Sequence, residues 1–317
     1  DALPVAEDAP VEPASVPGEI PARPGWWSEL PRPAWQDFEP VKTLNPWFEV
    51  YEVQRGIFAI YEPGQKAETI SWLIVGDTQA LLYDTGLGMG DIRSVVRQLT
   101  NRPIVVLNSH AHYAHVGGNH QFRTILALNH PFVLERAKGI PKTAVGENAV
   151  GDAIWKTAPP DFNALDYAIQ PWSFARWVED GQTLDLGGVQ LQVYHLPGHT
   201  PDNLVLLDRA RRLLFTGGSF ALDRMDLSGA DSDVLMFADS AAKLASLAEA
   251  VDLLLLSHRV PLAEGRYLLD LDRAMQGILN NSAPFRRIDG GREYPFTAFT
   301  IVTPDPPLSE SALIEAL

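Results

Sequence analysis

The chain has 317 residues, 46% hydrophobic and 21% charged, which supplies apolar material for one or two packed domains and excludes a wholly disordered protein. A formal net charge of -15 repels phosphate backbones and anionic lipid, so nucleic acid is excluded as a general partner and a small-molecule substrate is expected. The absence of cysteine excludes disulfides, thiolate ligands and a cysteine nucleophile, and no apolar run approaches the roughly 18 to 20 residues of a membrane helix, so no membrane insertion is expected.

Residues 1–40 are rich in Pro, Ala and Glu and read as an arm ahead of a domain at 41–317, because such a composition buries too little apolar surface to offset chain entropy. The arm fits either of two roles. It is the spacer behind a leader removed before Asp1, which would favour a periplasmic or secreted setting, or a strap pinned across the domain by Trp26, Trp27 and Trp35. From Phe48 onward, short β-branched and aromatic runs alternate with turn residues, which predicts strands over 56–61 and 70–75. A hairpin at Gly76-Asp77 leads into a strand ending at Asp84, and Asp91 is placed to cap a helix with Ile92, Val95, Val96 and Leu99 on its apolar face. The run PIVVLNSH, 103–110, is of buried-strand type and delivers polar residues at its C-terminal end, where ligand sites in α/β sheets lie.

A looser segment over 139–175 follows, with Trp155, Trp172 and Trp177 in or just beyond it as candidates for a pocket wall or for core packing. Strand patterns then resume at 189–196, 203–207 and 212–217. A helix is predicted at 241–250, a buried strand over 251–258, a helix over 263–281, and a last strand at FTAFTIV, 296–302.

The chemistry concentrates in NSHAHYAHVGGN, where His110, His112 and His115 crowd together directly after a strand. A zinc ion takes three or four nitrogen or oxygen donors at about 2.0 to 2.2 Å, and alternate residues on a loop can converge on such a point. His199, in HLPGHTPDN, and His258, in LLLLSH, each follow another apolar strand. All five are therefore expected at one sheet edge.

In this order LLYDTG, SHAHYAH, PGHTPDN, LFTGG and LLSH resemble the successive motifs of the metallo-β-lactamase-fold hydrolase superfamily, over about 48–258. The resemblance implies an α/β fold, a four-layer αββα sandwich of the metallo-β-lactamase type, with metal held at one edge between the central sheets. It further implies that His110, His112 and His199 hold a zinc ion, that His115 and His258 belong to a second metal position, and that Asp84 lies behind the ligand loop and orients it. His115 and His258 are then candidate proton carriers, and Tyr113 is a candidate oxyanion donor or pocket wall.

Two positions depart from the family's pattern. Ala114 stands where the motif has aspartate, and Gly218 stands where it has a bridging carboxylate. Both losses fall on the second ion, so one zinc is expected, with the second weak or absent. Ser219 and Asp202 are the nearby groups able to substitute, and their geometry is not fixed by the sequence. Gly117, Gly118 and Asn119 stay close to type, so the change looks targeted rather than a general decay. The implied function is a zinc-dependent hydrolase of a small ester, lactone, thioester or lactam acting through metal-activated water, impaired at the second position. The alternative is a catalytically weak or inactive ligand- or metal-binding member of the same fold.

Overall fold

Along Ile57–Tyr61 and Ile70–Val75 successive side chains leave opposite faces of the strand, and both faces are apolar. Ile57, Ala59, Tyr61, Ile70, Trp72 and Ile74 enter one core cluster, while Phe58, Ile60, Leu73 and Val75 pack into another. A strand covered on both sides must lie inside a layered structure. The computed structural model describes residues 25–307 and shows those layers.

A seven-stranded sheet runs in chain order through Glu49–Gln54, Ile57–Tyr61, Ile70–Val75, Ala80–Tyr83, Ile104–Leu107, Ile125–Leu128 and Arg176–Val178. A six-stranded sheet is ordered Leu262–Glu264, Leu253–Leu255, Leu213–Phe215, Leu204–Asp208, Gln190–His195 and Thr183–Asp185. Inner faces of both sheets share one core, in which Trp72 and Tyr83 of the first meet Leu206 and Phe215 of the second. The outer face of the first sheet is covered by the helix Ile92–Leu99, and that of the second by Val234–Ser246 and Tyr267–Leu279. The order is helix, sheet, sheet, helix.

Asp91 caps the first helix as expected, its side chain accepting from Ser94 N at 2.9 Å. That helix is the crossover that the parallel pairing of Ala80–Tyr83 with Ile104–Leu107 requires. Three boundaries differ from expectation. Val234–Ser246 begins well before 241 because Asp233 caps it, accepting from Met236 N at 2.9 Å. Leu262–Glu264 is a strand paired with Leu253–Leu255, and only Tyr267–Leu279 is helical within 263–281. Of 296–302, the first part is a turn closed by Phe296 N on Phe299 O, and Thr300–Thr303 pairs with Gly291–Pro295 in a small four-stranded sheet absent from the sequence reading.

Trp35 is buried and stacks on Tyr61, while Trp26 Nε1 donates to Asp152 O at 2.7 Å. Residues 1–24 of the expected arm lie outside the described residues. Trp172 packs in the outer core of the first sheet, whereas Trp155 and Trp177 are exposed. No described helix is long and apolar enough to cross a membrane.

Candidate metal centre

The site is assembled from strand ends. Asp84 follows Ala80–Tyr83, His110 follows Ile104–Leu107, His199 follows Gln190–His195, Gly218 follows Leu213–Phe215, and His258 follows Leu253–Leu255. Parallel pairing of the first two strands, and of the last two, brings their C-terminal ends to the same edge. Leu204 N donates to Ser109 O at 2.7 Å and Tyr83 Oη to Leu204 O at 2.6 Å, which ties the two halves together behind His110.

His110, His112 and His199 each offer a ring nitrogen within 4.8 Å of the others. Their rings meet edge-on, with centroids 4.8, 4.8 and 4.9 Å apart. Burial, reinforced by the neighbouring imidazoles, holds His110 and His199 well below the ordinary histidine range. His112 is lowered by burial too, against the opposing pull of Asp231. Neutral rings are what a cation needs.

Asp84 decides the tautomers. It is fully buried, with a φ of 70°, a left-handed conformation that Asp and Asn tolerate better than most side chains. Its Oδ1 accepts from Ser109 N at 2.6 Å, and its Oδ2 accepts from Ser109 Oγ at 2.8 Å. Having given its proton to Asp84, Ser109 Oγ can only accept from His110 Nδ1, 2.9 Å away. The lone pair of His110 therefore sits on Nε2, and that buried atom has no hydrogen-bond partner. Leaving such a group unsatisfied costs about 1–3 kcal/mol, and a bound cation would remove the cost. The donor set fits a divalent metal.

His115 Nδ1 faces the other lone pair of Asp84 Oδ2 at 2.8 Å, and His258 Nδ1 faces Ala67 O at 2.8 Å. Both partners only accept, so both Nδ1 atoms carry protons. The two Nε2 atoms, 3.2 Å apart, then present lone pairs to each other. They repel unless a proton or a cation lies between them, and their separation is close to the roughly 3.4 Å of two ligands on one ion. The His115 and His110 ring centroids are 4.1 Å apart, so all five histidines form one cluster. Burial, chiefly, pushes His258 down to about 3.

The metallo-beta-lactamase superfamily model matches residues 69–258, more than half of the chain and the whole interval that contains these side chains. The chain belongs to the metallo-β-lactamase superfamily. Among curated relatives, the acyl-coenzyme A thioesterase MBLAC2 of Homo sapiens is 29% identical over 187 residues, which cover 54% of this chain and 66% of that protein, slightly under two thirds of its length. The sec-alkylsulfatase Pisa1 from Pseudomonas sp. superposes with a TM-score of 0.57 at 17% identity, covering 73% of this chain and 42% of that one. A DIM-1 metallo-β-lactamase superposes with a TM-score of 0.52 at 15% identity, covering 74% and 99% respectively. These structures share the fold.

Against the metallo-β-lactamase pattern, Ala114 is buried on the single turn Tyr113–Val116 and packs with Ala111 and Val116. Gly218 lies in the tight turn Gly217–Ser219, pressed onto the ligand rings. A Cβ there would stand 2.4 Å from His199 Cδ2, 2.9 Å from Asn203 Oδ1 and 3.1 Å from His110 Cε1. The turn holds no vacated side-chain space. Of the two nearby candidates for substitution, Ser219 Oγ accepts from Asn203 Nδ2 at 2.6 Å, and Asp202 lines a small closed cavity with Ala111, Trp172 and Leu204, where burial raises its pKa to about 6. The Tyr113 hydroxyl donates to Asn148 Oδ1 at 3.1 Å, which suits a pocket wall better than an oxyanion donor.

Two carboxylates near this metallo-β-lactamase centre carry no motif. Asp231 Oδ2 stands 3.7 Å from His112 Nε2 and accepts from Arg136 Nη2 at 2.6 Å. His112 first, and Arg136 after it, hold Asp231 below the usual carboxylate range. Histidine ligands commonly lean on an outer carboxylate, and that general need was the one available signal for it. Glu62 is buried, accepting from Trp47 Nε1 at 2.6 Å and from Leu87 N at 2.9 Å, and so pins the turn after Asp84.

Burial raises Glu62 from 4.5 to about 7, against the two hydrogen bonds. The folded chain thus keeps a proton that the unfolded chain releases, and stability falls as pH rises between those values. Glu62→Gln is expected to remove this slope, on the order of 3 kcal/mol between pH 4.5 and 7. Urea midpoints of parent and variant across that range provide the check. Parallel curves would reject the assignment.

Proposed function

We propose that this chain is a one-zinc hydrolase of a small thioester or related ester. The carrying observation is the buried, unpartnered His110 Nε2 inside the three-histidine cluster. Superfamily membership, and a relative named as an acyl-coenzyme A thioesterase, favour a thioester over the lactone and lactam alternatives. When bound to His110, His112 and His199, zinc supplies an activated water and an electrophilic centre for a carbonyl oxygen.

The chain's own residues do the rest. Asp84 and Ser109 hold His110 with its Nε2 lone pair forward, and Asp231, fixed by Arg136, faces His112. The Nε2 of His115 or His258 can take the proton released by the attacking water and pass it on to the leaving thiol or alcohol. Tyr113 serves as wall. With alanine at 114 and glycine at 218, the second position keeps two neutral imidazoles and should bind metal far more weakly than the first. That same loss favours a second reading, a member that binds ligand or metal without turnover.

Metal analysis after chelation and zinc reloading, with a panel of fatty acyl-coenzyme A, aryl ester, lactone and chromogenic lactam, separates these readings. One tightly held zinc and thioester turnover are expected. His110→Ala should lose the zinc and at least about 1,000-fold in rate, equivalent to several kcal/mol of transition-state stabilisation. A zinc-loaded chain inert to the whole panel supports the binding reading, and a chain that retains no zinc rejects the one-zinc hydrolase.

A further inference from the structure

We propose that the segment carrying Arg32 and Trp35 is a clamp that sets where His258 stands relative to the other histidines. His258 lies where two stretches of chain cross. Thr69 and His258 form an antiparallel bridge, Ile70 N donates to Ser257 O at 2.8 Å, Arg259 N donates to Glu68 O at 2.9 Å, and His258 Nδ1 donates to Ala67 O at 2.8 Å. Each stretch carries a non-glycine residue in the left-handed region, Glu68 at a φ of 46° and Arg259 at 62°. Such conformations persist only where surrounding contacts over-determine them.

The two strained residues are the two that the segment grips. Arg32 lays its guanidinium fork on the Glu68 carboxylate, with Nε to Oε2 at 2.6 Å and Nη2 to Oε1 at 2.5 Å, and Tyr61 Oη donates to Oε2 at 2.5 Å. Glu68 is fully buried, and besides that fork its Oε1 lies 3.8 Å from Arg259 Nε, so the carboxylate joins the two gripped residues. Trp35 donates from Nε1 to Arg259 O at 2.8 Å, and its ring stacks on Tyr61 with centroids 4.5 Å apart. Arg259 is pinned from its other end by Asp223 at 2.5 Å. Arg32 and Trp35 lie outside the stretch that matches the superfamily, yet they fix the backbone on both sides of its last histidine. They act as positioning residues, and the claim concerns the geometry of one ring rather than the reaction it serves.

Imidazole nitrogen NMR spectra of the purified full chain test this, because they read ring geometry and tautomer without turnover. Trp35→Phe keeps the stacking and removes the donor to Arg259 O. Arg32→Lys keeps the charge and removes the fork. Arg32→Ala removes the fork from a buried carboxylate, leaving it Tyr61 Oη and the longer Arg259 contact, and can fail to fold, so the two conservative variants carry the test, with the exposed Asp37→Asn as control. Expected are shifted and broadened His258 ring signals in Trp35→Phe and Arg32→Lys, unmoved His112 and His199 signals, and a silent control. Unmoved His258 signals in both folded variants overturn the clamp. An equal shift of every histidine overturns it too, since that is general loosening.

Discussion

Asp84→Ala is expected to lower the unfolding free energy by about 3–5 kcal/mol and to disorder the metal centre. The carboxylate accepts from Ser109 N, Ser109 Oγ and His115 Nδ1 inside a fully buried site. Alanine leaves Ser109 N and His115 Nδ1 without an acceptor, at about 1–3 kcal/mol each before local relaxation takes back part of the sum, and leaves Ser109 Oγ to turn its proton toward His110 Nδ1, 2.9 Å away. It must also adopt a φ of 70°, where a Cβ without a polar group is strained. The damage spreads from stability to chemistry, because Ser109 freed from Asp84 no longer dictates which nitrogen of His110 carries the lone pair. Asp84→Asn separates the two effects. It tolerates the backbone and keeps one oxygen, but its amide turns a donor toward either Ser109 or His115. Denaturation midpoints and metal content measure both variants. An alanine variant within about 1 kcal/mol of the parent would show that the carboxylate does not organise this site.

The second large effect runs against the family's motif. Gly218→Asp restores a carboxylate at the position where relatives are expected to carry one, and it is predicted to weaken the three-histidine cluster rather than complete a second site. The reason is steric. The new Cβ would stand 2.4 Å from His199 Cδ2 and 3.1 Å from His110 Cε1, well inside the roughly 3.5–4.0 Å of favourable carbon contact. Overpacking of this kind costs about 1–3 kcal/mol. Falling on the ligand rings, that strain amounts to about 10- to 100-fold in zinc affinity. Gly218→Ala introduces the same Cβ without a carboxylate, so a chelator competition titration of both variants distinguishes crowding from ligation. Weaker zinc binding by both is the expected result. Tighter binding by the aspartate variant alone would mean that the turn yields and the carboxylate reaches the ion.

Much of the site was legible because its signals are local. Apolar runs ending in His110, His199 and His258 announce strand ends, and a strand end is where an α/β sheet presents side chains to a ligand. Asp91 read correctly as a cap because capping joins residues only three apart. Asp233 carries the same kind of local signal ahead of Val234, and its cap starts that helix earlier than the apolar pattern of 241–250 alone suggests. Asp231 carries no local signal beyond the general need of ligand histidines for an outer carboxylate, since its place is fixed by Arg136, 95 residues away.

Residue types and their spacing pointed by themselves to five imidazoles gathered at one edge, and the resemblance of the motifs to the family's added that two carboxylates of its usual set are missing. Only the tertiary structure decided which nitrogen of His110, His115 and His258 carries the lone pair, that the Gly217–Ser219 turn leaves no room at Gly218, and that Arg32 grips Glu68 beside His258. Backbone periodicity is encoded by neighbours along the chain. Ring orientation and free volume are set by whatever packs against a residue from elsewhere, and no local pattern records that.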